Sequence, residues 1–220
     1  FAYLIGVPLG VLLVITAKDG LKPQRALNTV LGWIVNIGRS VPFIILMVAI
    51  MPFTRMVVGT TIGVKGAIVP LVVSAAPFIA RMVETSLNEV DAGVVEAAQS
   101  MGCSPFQIIW KVLLPESKPS LLIGAAISTT TILGYSAMAG AVGGGGLGGI
   151  AINYGYYKYN YAVMLIAVVF IVILVQIFQS LGTSLATRTD HRITNRAGRR
   201  KLRRNVSRQI NRDKRSPGGM

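Results

Sequence analysis

The chain has 220 residues, 52% of them hydrophobic and 14% charged, with a formal net charge of +14. The few charges are clustered and long stretches carry none, which excludes an ordinary soluble core and points to a bilayer, whose crossing takes a run of roughly 18 or more apolar residues. One cysteine, Cys103, allows no internal disulfide, and one histidine, His191, has no cysteine or acidic cluster beside it to make a metal site.

Uncharged runs cover residues 1–17, 40–54, 66–80, 119–157 and 159–187. The last two are long enough to span alone. The second reaches spanning length by extending back through "LGWIVNIGR", and the third by extending to Arg81. Arg39 and Arg81 then lie near a membrane face, where long cationic side chains snorkel. The expected spans are 1–17, about 33–53, 66–83, 119–137 and 159–186. Pro8 and Gly10 are tolerable in the first because neighbouring helices can satisfy the freed backbone. No initiator Met or charged region precedes it and no cleavage site follows, so it reads as a helix whose beginning is missing rather than a signal peptide.

The connections set the orientation. Loops 18–32 and 84–118 and the tail hold Lys18, Lys22, Arg25, Lys111, Lys118 and twelve tail cations, against Arg55, Lys65 and Lys158 in loops 54–65 and 138–158. Cytoplasmic connections carry the excess of Lys and Arg, so the tail is expected in the cytoplasm and the N-terminus outside. Residues 188–220 carry twelve Lys or Arg against Asp190 and Asp213, which leaves +4 for the rest of the chain.

Between the third and fourth spans stands "DAGVVEAAQSMGCSPFQIIWKVLLPESKP". Its first half reads as a helix capped by Asp91, with Val94, Ala98 and Met101 on one face, stopped by Gly102 where a left-handed residue is wanted. Ser104 then caps a second helix, with Pro105 in its first position and Gln107 completing a capping box. Phe106, Ile109, Trp110 and Leu113 form an apolar stripe expected to hold this helix on the membrane face, until Leu114 and Pro115 end it. The first helix is left to present Glu96, Ala97 and Gln99. An amphipathic loop covering the bilayer accounts for the stripe but not for the tight turn or the small residues. Arg81 and Glu84, at the cytoplasmic end of the third span, read as an ion pair or a partner contact.

Beyond the fourth span, Gly144, Gly146 and Gly149 satisfy G-x-G-x-x-G, but no strand precedes them and they fall on the outer side, which argues against a dinucleotide site. The run "AGAVGGGGLGG" reads as flexible, close-approach backbone. No G-x-x-x-x-G-K-[ST] occurs, so ATP hydrolysis by this chain itself is not expected, and no paired carboxylates or nucleophile with a base stand inside the spans. The chemistry expected is movement. Tyr135, Ser136 and Met138, at the end of the fourth span, are candidates for lining or gating a path, with helix packing or lipid contact as the competing reading.

The stretch "EAAQSMGCSPFQIIWKVLLP" resembles the loop signature of ABC importer permeases, E-A-A, three residues, G, nine residues, an aliphatic residue, one more, then L-P, through Glu96, Ala97, Ala98, Gly102, Val112, Leu114 and Pro115. Its departure is Val112, where Ile is commoner. The segments at 35–63, 67–84 and 134–156 closely resemble the methionine importer permeases of type I ABC uptake systems. The resemblance implies an all-α membrane protein of five transmembrane helices, with a permease domain over 1–187 and a basic cytoplasmic tail over 188–220. It implies a loop helix coupled to a cytoplasmic ATPase, a homodimer with two ATPase subunits that bind ATP and Mg, and an extracytoplasmic methionine-binding protein. The location implied is a bacterial inner membrane, and the glycine run would lie at the outer mouth. An importer of another amino acid or small peptide is the nearest alternative. A channel or secondary transporter would place an ionisable residue at mid-membrane. The tail lacks aromatic residues for base stacking, so attraction to anionic lipid is a simpler reading than nucleic-acid binding.

Overall fold

A computed structural model describes residues 1–189. Among these residues every regular element is helical: α1 (Ala2–Thr16), α2 (Arg25–Ser40), α3 (Phe43–Ala49), α4 (Met51–Val58), α5 (Gly63–Asn88), α6 (Ala92–Ser100), α7 (Pro105–Ile108), α8 (Leu114–Glu116), α9 (Lys118–Ala139), α10 (Gly146–Ile150) and α11 (Tyr161–Thr189), with π-helical turns at Ile109–Leu113, Gly140–Gly144 and Ala151–Tyr156. The basic tail beyond Thr189 lies outside the described residues.

The 26-residue α5 is the hub. It has no charged residue between Lys65 and Arg81, and its small and β-branched side chains let other helices approach closely. Gly6 and Gly10 of α1 press against it, Gly6 beside Ile79 and Ala76 and Gly10 beside Ala80 and Val83. The contacts advance along both helices in the same sense, so α1 and α5 run parallel. Gly38 of α2 meets Pro77, and Leu13, Val35 and Ala80 close one small core between α1, α2 and α5. On another side Ser120 of α9 donates a hydrogen bond to Ser86 at 3.1 Å, and Gly124 faces Met82. At Gly182 of α11 a Cβ would overlap Ala126, so α11 lies tight against α9.

The expected second span is not one helix. α2 stops at Ser40, Val41 is extended (φ −80°, ψ 123°), and α3 leaves at 103° to α2. Pro42 is the cause: it lacks an N–H, and its ring pushes the preceding residue out of helical geometry. A second break at Ile50 starts α4, which ends at left-handed Gly59. Three helices among the described residues, α5, α9 and α11, are long and apolar enough to cross a membrane, and the bent α2–α3 pair passes the same test only when its two arms are counted together as one broken span. α1 is apolar but has 15 residues.

The glycine run is also more ordered than an open loop. It folds as helical turns that turn back at Gly143 (φ +89°) and bring Gly148 against Ala137 and Gly149 against Gly140. The close backbone approach expected of it is present, and it is this approach that needs residues without a Cβ.

Candidate functional site

The α6–α7 corner is built from local signals. The Asp91 carboxylate accepts a hydrogen bond from the Gly93 N–H at 2.8 Å, capping α6. At the other end Gly102 takes φ +78° and its N–H donates to the Gln99 carbonyl, while the Cys103 N–H donates to the Ala98 carbonyl. These two bonds close α6 as a Schellman motif around a left-handed glycine. One residue later the next cap begins. The Ser104 N–H donates to Gln107 Oε1 at 2.8 Å, and the Gln107 N–H donates to Ser104 Oγ at 3.4 Å. Two helices thus meet with a two-residue joint, both of whose ends are hydrogen-bonded.

The corner's packing departs from the expected stripes. Ala98 is buried, but Val94 and Met101, expected on the same face, are exposed. In the second helix Ile108 and Leu113 are buried in the core with Leu87, Val90 and Ala98, whereas Phe106 and Trp110 stand exposed with ring centroids 6.1 Å apart. Tertiary contact with the end of α5 selects the buried face, which helical spacing alone does not specify. The helix ends one residue past Pro115, at Glu116. The π turn lets the Leu114 N–H reach back to the Ile109 carbonyl, so the chain passes through Pro115; Ser117 bonds to Leu113 through both N–H and Oγ and, as a single turn residue, leads into α9. The widened turn absorbs a ring that an α-helical turn would not. Glu96, Ala97, Gly102 and Pro115 face outward, Val112 and Leu114 are half-buried, and Ala98 is the buried footing of α6.

The three residues named for a path are not gathered on one wall. Tyr135 stacks on Phe43 of α3, centroids 4.8 Å apart and nearly coplanar in orientation at 4°. Ser136 points to the other side, into a cavity of about 170 Å³ among α9, α10 and α11 lined by Leu133, Gly146 and Leu174. Met138 is exposed.

A polar constellation that was read only in part from sequence lies nearer the corner. Arg81 donates to Glu84 at 2.6 Å and to Asn36 Oδ1 at 2.6 Å, joining α5 to α2. The Arg81–Glu84 spacing of three was visible. Asn36 carries no such signal, because its contact with Arg81 joins two helices 45 residues apart in sequence. Among the described residues no three of His, Cys, Asp and Glu stand together as a metal site.

A family model described as the binding-protein-dependent transport system inner membrane component matches residues 6–194. The chain belongs to that family. Among its relatives, the probable D-methionine transport system permease protein MetI of Vibrio cholerae is 56% identical over 82% of this chain and 80% of its own. The methionine import system permease protein MetP of Bacillus subtilis is 47% identical over 78% of this chain and 77% of its own. A chain of the MetNI methionine ABC transporter, solved in an inward-facing conformation, superposes with a TM-score of 0.85 at 50% identity, covering 86% of this chain and 88% of its own. An amino acid ABC transporter chain at 21% identity and a TM-score of 0.67 shares the fold of this inner membrane component.

Proposed function

We propose that this chain is the membrane-spanning permease subunit of an ATP-driven importer that carries methionine into the cell. The observation that carries the reading is the 56% identity with a D-methionine permease across 82% of the chain. The likeness to the MetNI transporter at a TM-score of 0.85 supports it. Two copies assemble with two ATPase subunits, which bind ATP and Mg, and receive substrate from an extracytoplasmic binding protein. The tail and the α6–α7 corner face the cytoplasm, in accord with the excess of Lys and Arg in those connections.

In this reading α6 is the coupling element. Its exposed Glu96 and Ala97 meet the ATPase, Ala98 roots it, and Gly102 with the Ser104–Gln107 cap keeps the corner stiff. Movement of α6 passes through Val112, Leu114 and Pro115 and the single turn residue Ser117 into α9, which ties the corner to a path-forming helix. Tyr135 and Met138 sit where the far end of α9 meets α3 and the outer helical turns.

The test is copurification followed by reconstitution. A tagged chain expressed with its ATPase subunit is expected to bring that subunit along. The complex, in liposomes with the binding protein on one face and ATP on the ATPase face, is expected to accumulate labelled methionine. Accumulation without ATP would replace the importer by a channel or secondary transporter, and accumulation of another solute with methionine ignored would overturn the substrate.

A further inference from the structure

The hub helix α5 packs on α3 through Ala67 and Leu71 in its outer half, and in its inner half it is covered on three sides. α1 occupies the face of Ala76, Ile79, Ala80 and Val83, α2 approaches at Pro77, and α9 lies against Met82 and Ser86. At about 100° of turn per residue, the face left over, opposite α1, carries Phe78, Arg81, Thr85 and Glu89. Beside it α2 shows a second uncovered polar surface. Arg25, Thr29, Gly32, Asn36 and Ser40 fall within an arc of about 80° on the same helical geometry, and four of them are exposed, with Gly32 intermediate. The two surfaces meet where Arg81 donates to Asn36, and the Arg81 and Glu84 side chains remain 32% and 18% exposed. Arg81 is turned to Glu84 and Asn36 rather than extended to the membrane face, and ionised groups paired in this way face water or protein rather than hydrocarbon. The trough formed by α2, α5 and α9 is therefore not a lipid-facing surface.

We propose that this trough is the wall of the inner part of the translocation path, and that Arg81 and Glu84, positioned by Asn36, contact the carboxylate and the ammonium of a zwitterionic amino acid in transit. The inference rests on the import of an amino acid proposed above and adds the site that reads its backbone. A guanidinium has five N–H donors, and two serve Glu84 and Asn36, which leaves donors for a carboxylate. Glu84 accepts from an ammonium. An ion pair with no net charge matches a zwitterion with no net charge, so the substrate exchanges partners with the pair and leaves no uncompensated charge. Such an exchange holds the substrate weakly, as a path requires. Phe78, one turn before Arg81 and with the Arg39 guanidinium 6.0 Å from its ring centroid, offers apolar surface for the substrate's side chain.

The experiment uses the complete permease–ATPase complex in nanodiscs, without nucleotide, with Cys103→Ser to remove the chain's one cysteine and Thr85→Cys one turn from Arg81. A membrane-impermeant thiosulfonate reports access to the trough. The cysteine is expected to react, and millimolar methionine is expected to slow the reaction severalfold. Methioninamide, which lacks the carboxylate, and N-acetylmethionine, which lacks the ammonium, should not. Arg81→Gln and Glu84→Gln should abolish the protection, and Arg81→Lys, which keeps the charge and loses the planar fork, should weaken it. An unreactive cysteine, as when a second copy or lipid covers the face, overturns the proposal, as does protection that is equal for all three compounds or that survives Arg81→Gln. Uptake of labelled methionine by the Cys103→Ser complex is measured in parallel. Uptake without protection removes the contact and leaves the import reading standing, whereas absence of methionine uptake removes both.

Discussion

At Gly102 the backbone holds φ +78° and a Cβ would meet nothing within 4 Å, while at Gly10, inside α1, a Cβ would lie 2.6 Å from the Ala80 carbonyl and from Val83 Cβ. The first glycine is required by conformation and the second by contact, so substitutions at the two should fail differently. Left-handed geometry costs an L residue about 1–2 kcal/mol, less for Asn. Gly102→Val should therefore yield a permease that inserts and assembles but loses substrate-linked ATP hydrolysis, with Gly102→Asn milder. Unchanged coupling in the valine variant would remove the corner's assigned role. Gly10→Ala forces α1 away from α5, and overpacking of this kind costs about 1–3 kcal/mol; it should lower the thermal unfolding midpoint of the detergent-solubilised permease. Gly124→Ala is the control, since its Cβ would sit 3.6 Å from Met82 in ordinary contact, and its midpoint should stay near that of the parent.

Elements specified by neighbours in sequence were legible, and those specified by neighbours in space were not. The Asp91 cap, the turn at Gly102 and the Ser104–Gln107 box each involve atoms within a few residues, and each forms as read. Which side of the second helix enters the core depends on the end of α5, so helical spacing does not single out Ile108 or place Leu113 in the core beside it, while Phe106 and Trp110 of the stripe stay exposed. Pro42 and Pro115 carry the same lesson with opposite outcomes. Both lack the N–H, yet Pro42 sits at a 103° bend while Pro115 is carried through by a π turn. Arg81 and Glu84 were readable as a pair by spacing, but their link to Asn36 needed the fold.

The π turn makes a prediction at this scale. One residue of helical phase is about 100°, so the turn at Ile109–Leu113 sets how α6 is aimed relative to α9. Pro115→Ala removes the ring that the turn accommodates and lets regular α-helical bonding return. The helix should persist, with unchanged membrane insertion and ATPase copurification, but α6 would be rotated away from its partner. Basal ATP hydrolysis should remain and its stimulation by loaded binding protein should fall. A Pro115→Ala complex that is stimulated as fully as the parent would mean that the aim of the corner does not depend on the proline.

For the whole molecule, the separation between the helical bundle and the basic tail decides what each contributes. The family model reaches residue 194, and twelve of the chain's 22 Lys and Arg fall in residues 188–220, with only Asp190 and Asp213 opposing them. A basic residue near an anionic leaflet contributes about 1 kcal/mol, and salt screens the attraction over roughly 8 Å at physiological ionic strength. Such forces hold a chain near a surface but do not drive the alternating-access cycle proposed above, with its stroke through the corner and α9. Deletion of residues 195–220 should thus leave ATP-driven methionine uptake in liposomes nearly intact. In the parent, anionic vesicles should protect residues 195–220 from protease, and raised salt should remove that protection. Loss of uptake at an unchanged level of assembled complex would show instead that the tail takes part in transport, through the ATPase or through the second copy of the permease.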